Sequence, residues 1–430
     1  MNVGGMRAYS WAKYWSEMGN DVTIITSKAR SEFSYTSTFK TNIPENVKII
    51  EIQNPLFKYF NQNPTEKNIK SKEKTTDKRI KGYSLKSGFK KTLNFIKNKI
   101  PLIDFYIDWY YFSKIYINRN KTEFQNFDFV ISTANPLSSH LIAMYLKGKF
   151  GLLWISDYRD LEEQSKYNTN IGFIRRLHIN KYKRKMLNYS DLDITVSNGL
   201  REILKSYHKD NEVKVINNGY FEENYLGNTT YSKLDWRIVY SGSFYEQQFD
   251  ITPLFKALEL LRLESKIELP DIVFYGSYPG ATKDKILENV NPTLAEKVFF
   301  KPSVSNEEIA KVQLKASILL LVDNLNSKGV LLTKSYEYLA AQRPIIALIN
   351  SDSELAQNFL LEKSGYLVGT DVYAIKDFIE EIYNKLIVKE DLSSYDFFEI
   401  EKLNQYSRKN QALILLEYIK EAMNSARKRG

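Results

Sequence analysis

The amino-acid sequence predicts an α/β protein built from two doubly wound domains that face each other across a cleft. Three observations lead to this fold class. Strand-length apolar segments alternate with helical segments in both halves of the chain, a polar stretch at 221–236 separates the halves, and 430 residues are too many for one ordinary core. The 43% of hydrophobic residues is ample for burial in both domains.

The N-terminal half begins with a predicted helix. Residues 6–18 have a helical pattern that stops at Gly19, and later helices are predicted at 136–150 and in a long lysine- and arginine-rich segment that ends near residue 189. Short apolar runs predict strands at 21–27, 46–52, 127–134, 151–157, 192–197 and 213–217.

The C-terminal half repeats the alternation, with helical segments between its strands. Strands are predicted at 237–243, 271–277, 297–303, 316–324, 343–350 and 365–370. We therefore expect one domain over residues 1–222, with a basic insertion at about 58–100, and a second domain over 233–400. Residues 401–430 are expected to form a helix that crosses back to the first domain.

The start of the sequence conflicts with a complete first sheet. Met1 comes directly before a loop that contains Gly4 and Gly5, although the strand before such a loop is central in a doubly wound sheet. Without that strand, its two neighbours have no partner between them. We therefore expect Met1 to be an internal methionine of a longer chain.

Composition excludes several classes of chemistry. The chain has no cysteine, and three scattered histidines, His140, His178 and His208, are too few for a metal cage. No apolar run approaches the roughly 18 residues of a membrane span, and the N-terminus has no signal pattern. We expect metal-free chemistry in the cytoplasm.

Charge is concentrated in one segment. Between Lys67 and Lys99 there are 12 Lys and Arg against 2 acidic residues, which equals the net +10 of the whole chain. A solvated insertion, an anionic membrane surface and nucleic acid are the three interpretations. The aromatic run at 100–117 favours the membrane interface over nucleic acid, because aromatic and long cationic side chains suit that environment and no nucleic-acid recognition motif is present.

The strongest candidate binding residues open the helix between the strands at 316–324 and 343–350. Thr333, Lys334 and Ser335 lie at its start, where free N–H groups and the helix dipole favour an anion such as a diphosphate. Glu337, one turn further, could accept hydrogen bonds from two sugar hydroxyls. The alternative is a salt bridge between Lys334 and Glu337.

Other candidates lie at strand ends. Gly242 and Gly276 follow strands, where a missing side chain lets the backbone approach a ligand, although glycine there is also ordinary turn chemistry. Asp157, Arg159 and Asp160 end another strand, and they could either orient an acceptor hydroxyl or form a structural Asp–Arg pair.

Four segments, in this order, resemble the GT-B glycosyltransferases and in particular glycosyltransferase family 4. They are "NVGGMRAYSWAKYWSEMGNDVTIITS", "NPLSSHLIAMYLKGKFGLLWISDYRD", "TVSNGLREIL" with "VKVINNGY", and "GVLLTKSYEYLAAQRPIIAL" with "SDSELAQNFLLEKSGYLVGTD". The resemblance spans nearly the whole chain apart from the insertion. It implies a GT-B fold of two Rossmann-like domains.

The resemblance also implies a function and roles for residues. Such enzymes transfer a sugar from a nucleotide sugar with retention of configuration and without a bound metal. Glu337 is similar to the glutamate that binds the donor ribose, Lys334 lies where a cation would meet the diphosphate, and Gly4 and Gly5 match the loop that approaches the phosphates. Asn135 and Arg159 are expected on the acceptor side.

The sequence departs from the family pattern at three places. Gly329 stands where the first glutamate of a paired-glutamate motif is expected, so a contact to the sugar is lost. The usual Arg and Lys after the first C-terminal strand are missing, and Ser243 with other polar side chains follows Gly242. The family histidine near Thr133 is also absent, and His140 on the following helix is either its counterpart or a structural residue.

The sequence therefore predicts a retaining glycosyltransferase that acts on a glycan or lipid-linked acceptor in cell-surface polysaccharide synthesis. The nucleotide sugar is a substrate, so no cofactor is expected. The catalytic candidates are Lys334, Asp157, Asp160 and His140. The alternatives are a nucleotide-sugar epimerase of the same architecture and a binding subunit without activity.

Overall fold

The structure is a computed structural model of the chain. It describes residues 3–27, 44–53, 103–104, 106–159, 173–207, 212–225, 234–242, 244, 249–265, 267–288, 290–322, 333–361, 363–388 and 394–428. Asp160, Ser243, Gly329 and the basic segment from Lys67 to Lys99 lie outside the described residues, so the predictions for them stay predictions.

In the described part of the N-terminal half there are six strands, each parallel to the strands it pairs with, and the helices between them. Its strands are β1 Thr23–Ser27, β2 Lys48–Ile52, β3 Phe129–Ala134, β4 Leu153–Tyr158, β5 Leu192–Thr195 and β6 Val213–Val215. Its helices are α1 Val3–Glu17, α2 Ile107–Arg119, α3 Lys121–Phe124, α4 Ser138–Phe150, α5 Phe173–Leu187 and α6 Asn198–Lys205. Each of these strands overlaps a predicted strand, and all except β4, which continues one residue further to Tyr158, lie within the predicted ranges.

Glycines follow two of these helices, and the sequence predicted this for α1. Gly19 follows α1 with a φ of 85°, and Gly151 follows α4 with a φ of 71°. Residues with a side chain rarely adopt this left-handed conformation, so glycine is favoured where a helix must stop and the chain must turn into a strand.

The N-terminal strands form two separate sheets. Strands β1 and β2 pair with each other, and the other four are paired in the order β3-β4-β5-β6. No ladder joins β1 to β3 within the described residues. The backbone N–H and C=O groups of β1 and β3 are therefore not hydrogen-bonded to each other.

The C-terminal half contains one parallel sheet of six strands. Its strands are β7 Asp235–Ser241, β8 Asp271–Tyr275, β9 Val298–Lys301, β10 Ala316–Val322, β11 Ile345–Leu348 and β12 Tyr366–Val368. Its helices are α7 Thr252–Glu264, α8 Gly280–Leu287, α9 Pro292–Ala295, α10 Asn306–Lys315, α11 Thr333–Ala341, α12 Val372–Tyr383 and α13 Ile400–Leu403. The last helix of the chain is α14 Arg408–Arg427. Short 3₁₀ or π turns occupy Glu222–Asn224, Ala356–Leu360, Asn384–Val388 and Asn404–Tyr406.

The strand order of this sheet creates a switch point. The order is β12-β11-β10-β7-β8-β9, so the chain runs outward from β7 through β8 and β9 and then returns to β10 on the other side of β7. Every residue of β10 is buried, which agrees with its continuous apolar sequence. Ligands of open parallel sheets bind beyond the carboxyl ends of the strands at such a switch, here between β7 and β10.

The two halves are joined at two adjacent places. The chain passes from β6 to β7 near Tyr220 and returns near Ser407, and these two residues form a parallel bridge. The Arg408 N–H donates to the Tyr220 carbonyl at 2.9 Å. Helix α14 then packs on α1, where the Trp15 indole N–H donates to the Ala412 carbonyl at 2.9 Å. The C-terminal helix therefore belongs to the core of the N-terminal half.

Among the described residues, no helix has both the length and the apolar character that crossing a membrane requires.

Candidate functional site

Two glycines shape the switch point at the end of β7. Gly242 follows β7 with a φ of 140°, a conformation that side chains disfavour, and its N–H donates to the Tyr275 carbonyl at 2.8 Å. A Cβ atom on Gly276 would lie 1.9 Å from the Gly242 carbonyl oxygen. The ends of β7 and β8 therefore approach so closely that only glycine fits at residue 276. The Tyr278 hydroxyl donates to the same Gly242 carbonyl at 2.6 Å.

Lys334 faces this glycine turn. Its Nζ donates to the Tyr240 hydroxyl at 2.6 Å and lies 4.0 Å from the centre of the Tyr240 ring. A Cβ on Gly242 would lie 3.0 Å from the same Nζ. The structure therefore brings together the predicted Lys334, Gly242 and Gly276. Tyr240 and Tyr278 were missed in the sequence, because tyrosine in an apolar strand or turn gives no signal of a polar role.

The first turn of α11 adds an unpaired hydroxyl. Ser335 is 2% exposed, and its Oγ has no hydrogen-bond partner among the residues that the structure describes. A buried hydroxyl without a partner is costly, so a ligand or water that accepts from it is favoured. Thr333 begins this helix and is half-buried. The predicted anion site at the start of α11 therefore has a polar group available to a ligand.

Glu337 lies one turn further and is half-buried. Burial raises the pKa of its carboxyl, while the charge of Arg408, a hydrogen bond with Gln313 and the charge of Lys334 act in the opposite direction. Burial likewise lowers the pKa of Arg408, to about 10, and the Glu337 carboxylate partly opposes that shift. Arg408, Gln313 and Lys334 therefore all act on the Glu337 carboxylate, whereas the salt-bridge interpretation includes Lys334 alone. Arg408 was missed because it lies 71 positions along the chain from Glu337.

A network of buried hydrogen bonds holds the end of β7 in position. The Ser241 N–H donates to the Tyr338 hydroxyl at 2.9 Å, and Gln313 Nε2 donates to Ser241 Oγ at 3.1 Å. The Tyr225 hydroxyl donates to Gln313 Oε1 at 2.6 Å. All four residues are buried. This network ties α10, α11 and β7 together and so fixes the position of the glycine turn.

The corresponding strand end of the N-terminal half contains a buried ion pair. Arg7 Nε lies 3.1 Å from Asp157 Oδ2, and the exposed fractions of the two side chains are 4% and 0%. Thr133 Oγ1 donates to Asp157 at 2.7 Å, and an Arg7 guanidinium N–H donates to the Asn217 carbonyl at 2.9 Å. Asp157 therefore forms the Asp–Arg pair that the sequence allowed, but its partner is Arg7 on α1. Arg159, which lies directly after β4, is half-buried.

Arg7 lies close to the C-terminal half. Its charge acts on Tyr336 of α11 and on Arg408 of α14. Gly4 and Gly5, expected in a loop, lie in the first turn of α1, three and two residues before Arg7 respectively. This correction has a simple cause: the helical segment begins before residue 6, so the glycines contribute the helix N-terminus and not a preceding loop. Asn135, beyond β3, is exposed.

His140 lies in the core of the N-terminal half and is fully buried. Its Nδ1 is 2.8 Å from Ser132 Oγ, which also accepts from the Trp154 indole N–H at 2.8 Å. Burial, with the charge of Lys183, lowers the pKa of His140 to about 3, so the ring is neutral at ordinary pH. Because His140 has no exposed surface, this geometry favours the structural interpretation over a catalytic one.

A further contact spans the cleft outside the crossing segments. The Glu354 carboxylate, just before the Ala356–Leu360 turn, accepts from the backbone N–H groups of Asn198 and Gly199, both at 3.3 Å. These N–H groups begin α6 in the N-terminal half, where a carboxylate is favourable because of the helix dipole. The two halves therefore touch on the cleft side as well as at Tyr220 and Ser407.

Within the described ranges, no three His, Asp or Glu side chains lie close enough to hold a metal ion. Lys334 is a cationic group at the switch point, next to Gly242.

Comparison with known proteins bears on the fold. No protein-family model matches the sequence, and no curated protein matches it. Among solved structures, sucrose-phosphate synthase from Thermosynechococcus elongatus is 13% identical over 98% of this chain and 93% of its own, with a TM-score of 0.58. S. aureus TarM, solved as a mutant with fondaparinux, alpha-GlcNAc-glycerol and UDP, is 12% identical over 99% and 97% of the two chains, with a TM-score of 0.57.

A third match is weaker. A UDP-N-acetylglucosamine 2-epimerase described as putative, from Listeria monocytogenes, is 12% identical over 93% of this chain, with a TM-score of 0.45, too low to support an argument. The first two structures are GT-B glycosyltransferases, and with the parallel sheets described above they confirm the predicted GT-B fold. At these identities the likeness concerns the fold alone.

Proposed function

We propose that the protein is a retaining glycosyltransferase, similar to glycosyltransferase family 4, that moves a sugar from a nucleotide sugar to a glycan or lipid-linked acceptor. The observation that carries the proposal is the position of Lys334. Its ammonium group lies next to Gly242, in the first turn of α11 and at the switch point of the C-terminal sheet. In a GT-B fold this is a suitable place for the diphosphate of the donor.

Three groups at this point favour a diphosphate. The Lys334 ammonium supplies a full positive charge, the first N–H groups of α11 supply a partial one, and the buried Ser335 hydroxyl has no partner among the described residues. The missing side chain of Gly276 lets the end of β8 approach the Gly242 carbonyl, and this close approach shapes the turn beside Lys334. Gly4 and Gly5, at the N-terminus of α1, would approach the phosphates from the other half.

The proposed reaction is one displacement in which charge moves to the diphosphate. The bond between the sugar's anomeric carbon and the diphosphate oxygen breaks, and a bond from the acceptor oxygen to that carbon forms on the same face of the sugar. The acceptor proton passes to the departing diphosphate oxygen. Lys334 stabilises the negative charge that grows on the diphosphate in the transition state.

Glu337 would bind the donor ribose, since its carboxylate can accept hydrogen bonds from two adjacent hydroxyls. Arg408 and Lys334 favour its charged form. Asp157 is held by Arg7 and Thr133, which supports a reaction without a carboxylate nucleophile from this position. Asp160 and Arg159 follow it and stay candidates for orienting the acceptor.

We further propose that the nucleotide sugar is used as a substrate, without a bound metal or other cofactor. The enzyme would work in the cytoplasm, at the inner face of the cytoplasmic membrane, in the synthesis of a cell-surface polysaccharide or lipid-linked glycan. The UDP in the TarM structure supports beginning the search for a donor with UDP-sugars.

A two-step experiment tests the proposal. Thermal shift with a panel of UDP-, GDP- and ADP-sugars identifies the donor, and incubation of that donor with glycan and lipid-linked acceptors then reveals the product. The expected product is a glycoside with the anomeric configuration of the donor, determined by NMR. An inverted product would contradict the retaining mechanism.

The same experiment separates the alternatives. Conversion of the donor to a different sugar nucleotide without an acceptor would indicate an epimerase. Donor binding without any product would indicate a binding subunit.

A further inference from the structure

Helix α2 carries apolar side chains on the side that faces solvent. Tyr111, Phe112 and Ile115 are 59%, 42% and 47% exposed, and their spacing places them on one face of the helix. The opposite side is buried and includes Trp109, Ser113 and Ile117. A helix that only packs against a core is expected to direct polar side chains toward solvent, whereas this helix directs these three apolar ones there.

The helix does not need these three side chains to hold its position. Its buried side contributes Trp109 and Ile117 to an apolar cluster with Ile142 and Leu146 of α4. Exposed aromatic and branched side chains add nothing to that contact and cost solubility, so a large exposed apolar group of this kind indicates an interaction surface. We call Tyr111, Phe112 and Ile115 the α2 face.

Cations border the α2 face. Arg119 is exposed and Lys114 is half-exposed on the same helix, and the Lys114 ammonium lies 5.0 Å from the centre of the Tyr145 ring. The only acidic residue of α2 is the buried Asp108. In the sequence, the segment with net +10 ends at Lys99, eight residues before the helix begins. The surroundings of the face are therefore positively charged.

We propose that the α2 face inserts into the headgroup region of an anionic lipid bilayer. Aromatic and branched side chains enter the boundary between headgroups and acyl chains, while lysine and arginine beside them bind the anionic headgroups. Such shallow insertion needs no helix that spans the bilayer. The cationic segment before α2 would add a longer-range attraction that salt screens.

A second copy of the chain fits the face less well. A stable protein interface buries about 800 Å² on each partner and has few charges at its centre, whereas this face consists of three side chains bordered by cations. The charge pattern therefore favours an anionic surface as the partner.

The inference does not depend on the proposed sugar transfer, because lipid binding can be measured without a donor. Full-length protein would be sedimented with vesicles of phosphatidylcholine alone and of phosphatidylcholine mixed with phosphatidylglycerol, at low and high salt. We expect binding to the anionic vesicles at low salt and a residual bound fraction at high salt, because apolar insertion is not screened.

A triple variant, Tyr111→Ser with Phe112→Ser and Ile115→Ser, isolates the α2 face. Its ratio of bound to free protein at high salt should fall by about 10-fold or more, since the apolar contribution is removed. The matched control is Leu263→Ser with Tyr373→Ser, which removes two side chains that are 64% and 63% exposed on α7 and α12. The control should bind as the unchanged protein does, and all variants should keep their melting temperature.

The absence of cysteine permits a direct measurement of insertion. Ile115→Cys and, as a control, Tyr373→Cys would each be labelled with a polarity-sensitive fluorophore. A blue shift on adding anionic vesicles is expected at residue 115 and not at residue 373.

Several results would overturn the inference. The first is that the intact protein stays in the supernatant with anionic vesicles at low salt. The second is that the triple variant binds as strongly as the unchanged protein at high salt. The third is that the fluorescence of a label at residue 115 does not change when vesicles are added. Dimerisation that only the triple variant abolishes, without lipid binding, would assign the face to a second copy instead.

Discussion

Lys334 is the residue on which the proposed chemistry depends most directly. Lys334→Ala should lower kcat by about 10²- to 10³-fold with a smaller change in KM, because the interaction strengthens as charge develops on the departing diphosphate. Steady-state kinetics with the identified donor measure both constants. If the substitution changed only KM, Lys334 would contribute to substrate binding and not to the chemical step.

An exposed lysine provides the control for this substitution. Lys311 on α10 pairs with Glu307 at 2.6 Å, and both side chains are mostly exposed. Lys311→Ala should leave kcat unchanged, because an exposed pair of this kind contributes little to the fold and lies on the solvent side of its helix.

Glu337 is expected to link donor binding to pH. Glu337→Gln should weaken donor binding by about 1.5–3 kcal/mol, the size of a hydrogen bond to a charged group. Because burial raises the pKa of Glu337, its carboxyl is protonated at a higher pH than an exposed glutamate, and donor affinity should fall as the pH is lowered through that pKa. Titration calorimetry at several pH values measures this.

Protonation of Glu337 should also change the stability of the fold, with a pH dependence opposite to that of donor affinity. A carboxyl whose pKa is raised in the folded state binds its proton more tightly there than in the unfolded chain, so its ionisation costs stability as the pH rises through that pKa. Donor affinity that is independent of pH in both the unchanged protein and Glu337→Gln would show that the carboxylate does not contact the donor.

At the scale of elements, the close approach of β7 and β8 determines the shape of the donor site. Gly276→Ala would place a Cβ 1.9 Å from the Gly242 carbonyl oxygen, so the two strand ends must separate. We expect a lower melting temperature together with weaker donor binding, because Gly242 also positions the turn that faces Lys334. Differential scanning fluorimetry with and without donor measures both effects.

A nearby glycine separates this clash from a general effect of alanine. Gly280 begins α8, and a Cβ there would meet no atom within 4 Å. Gly280→Ala should be neutral or slightly stabilising, since alanine favours the helix. Equal losses in the two variants would mean that the clash at Gly276 is not the cause.

At the scale of the whole molecule, Glu354 holds the two halves together on the cleft side. Glu354→Ala removes a carboxylate from the N-terminus of α6, a contact worth about 1–2 kcal/mol. The population of an open cleft should therefore increase, with the segments at Tyr220 and Ser407 acting as the hinge. Small-angle scattering should show a larger radius of gyration without donor, and donor should reverse it.

The neighbouring Asp352 serves as the control because it is exposed and lies on the same turn. Asp352→Ala should leave the scattering curve unchanged. An unaltered curve for Glu354→Ala as well would show that the crossing segments alone set the arrangement of the halves.

The sequence by itself determined the elements and their order. Apolar runs of strand length, glycines at Gly19 and Gly151, and the helix start at Thr333 are local signals, because a strand or a helix end depends on residues within a few positions. The doubly wound class followed from the order of these elements, and the GT-B fold was implied by the resemblance of four segments to that family. Lys334, Gly242 and Gly276 are predicted near one another because the carboxyl ends of the strands in one parallel sheet share an edge.

Only the tertiary structure decided which side chains meet. Arg7 pairs with Asp157, 150 residues away, and Arg408 joins Glu337 from the crossing helix. His140 turned out to be buried, and the apolar α2 face turned out to be exposed. None of these outcomes has a local signal, because burial and long-range ion pairs depend on how the packed elements are placed against one another, and a one-dimensional pattern does not contain that placement.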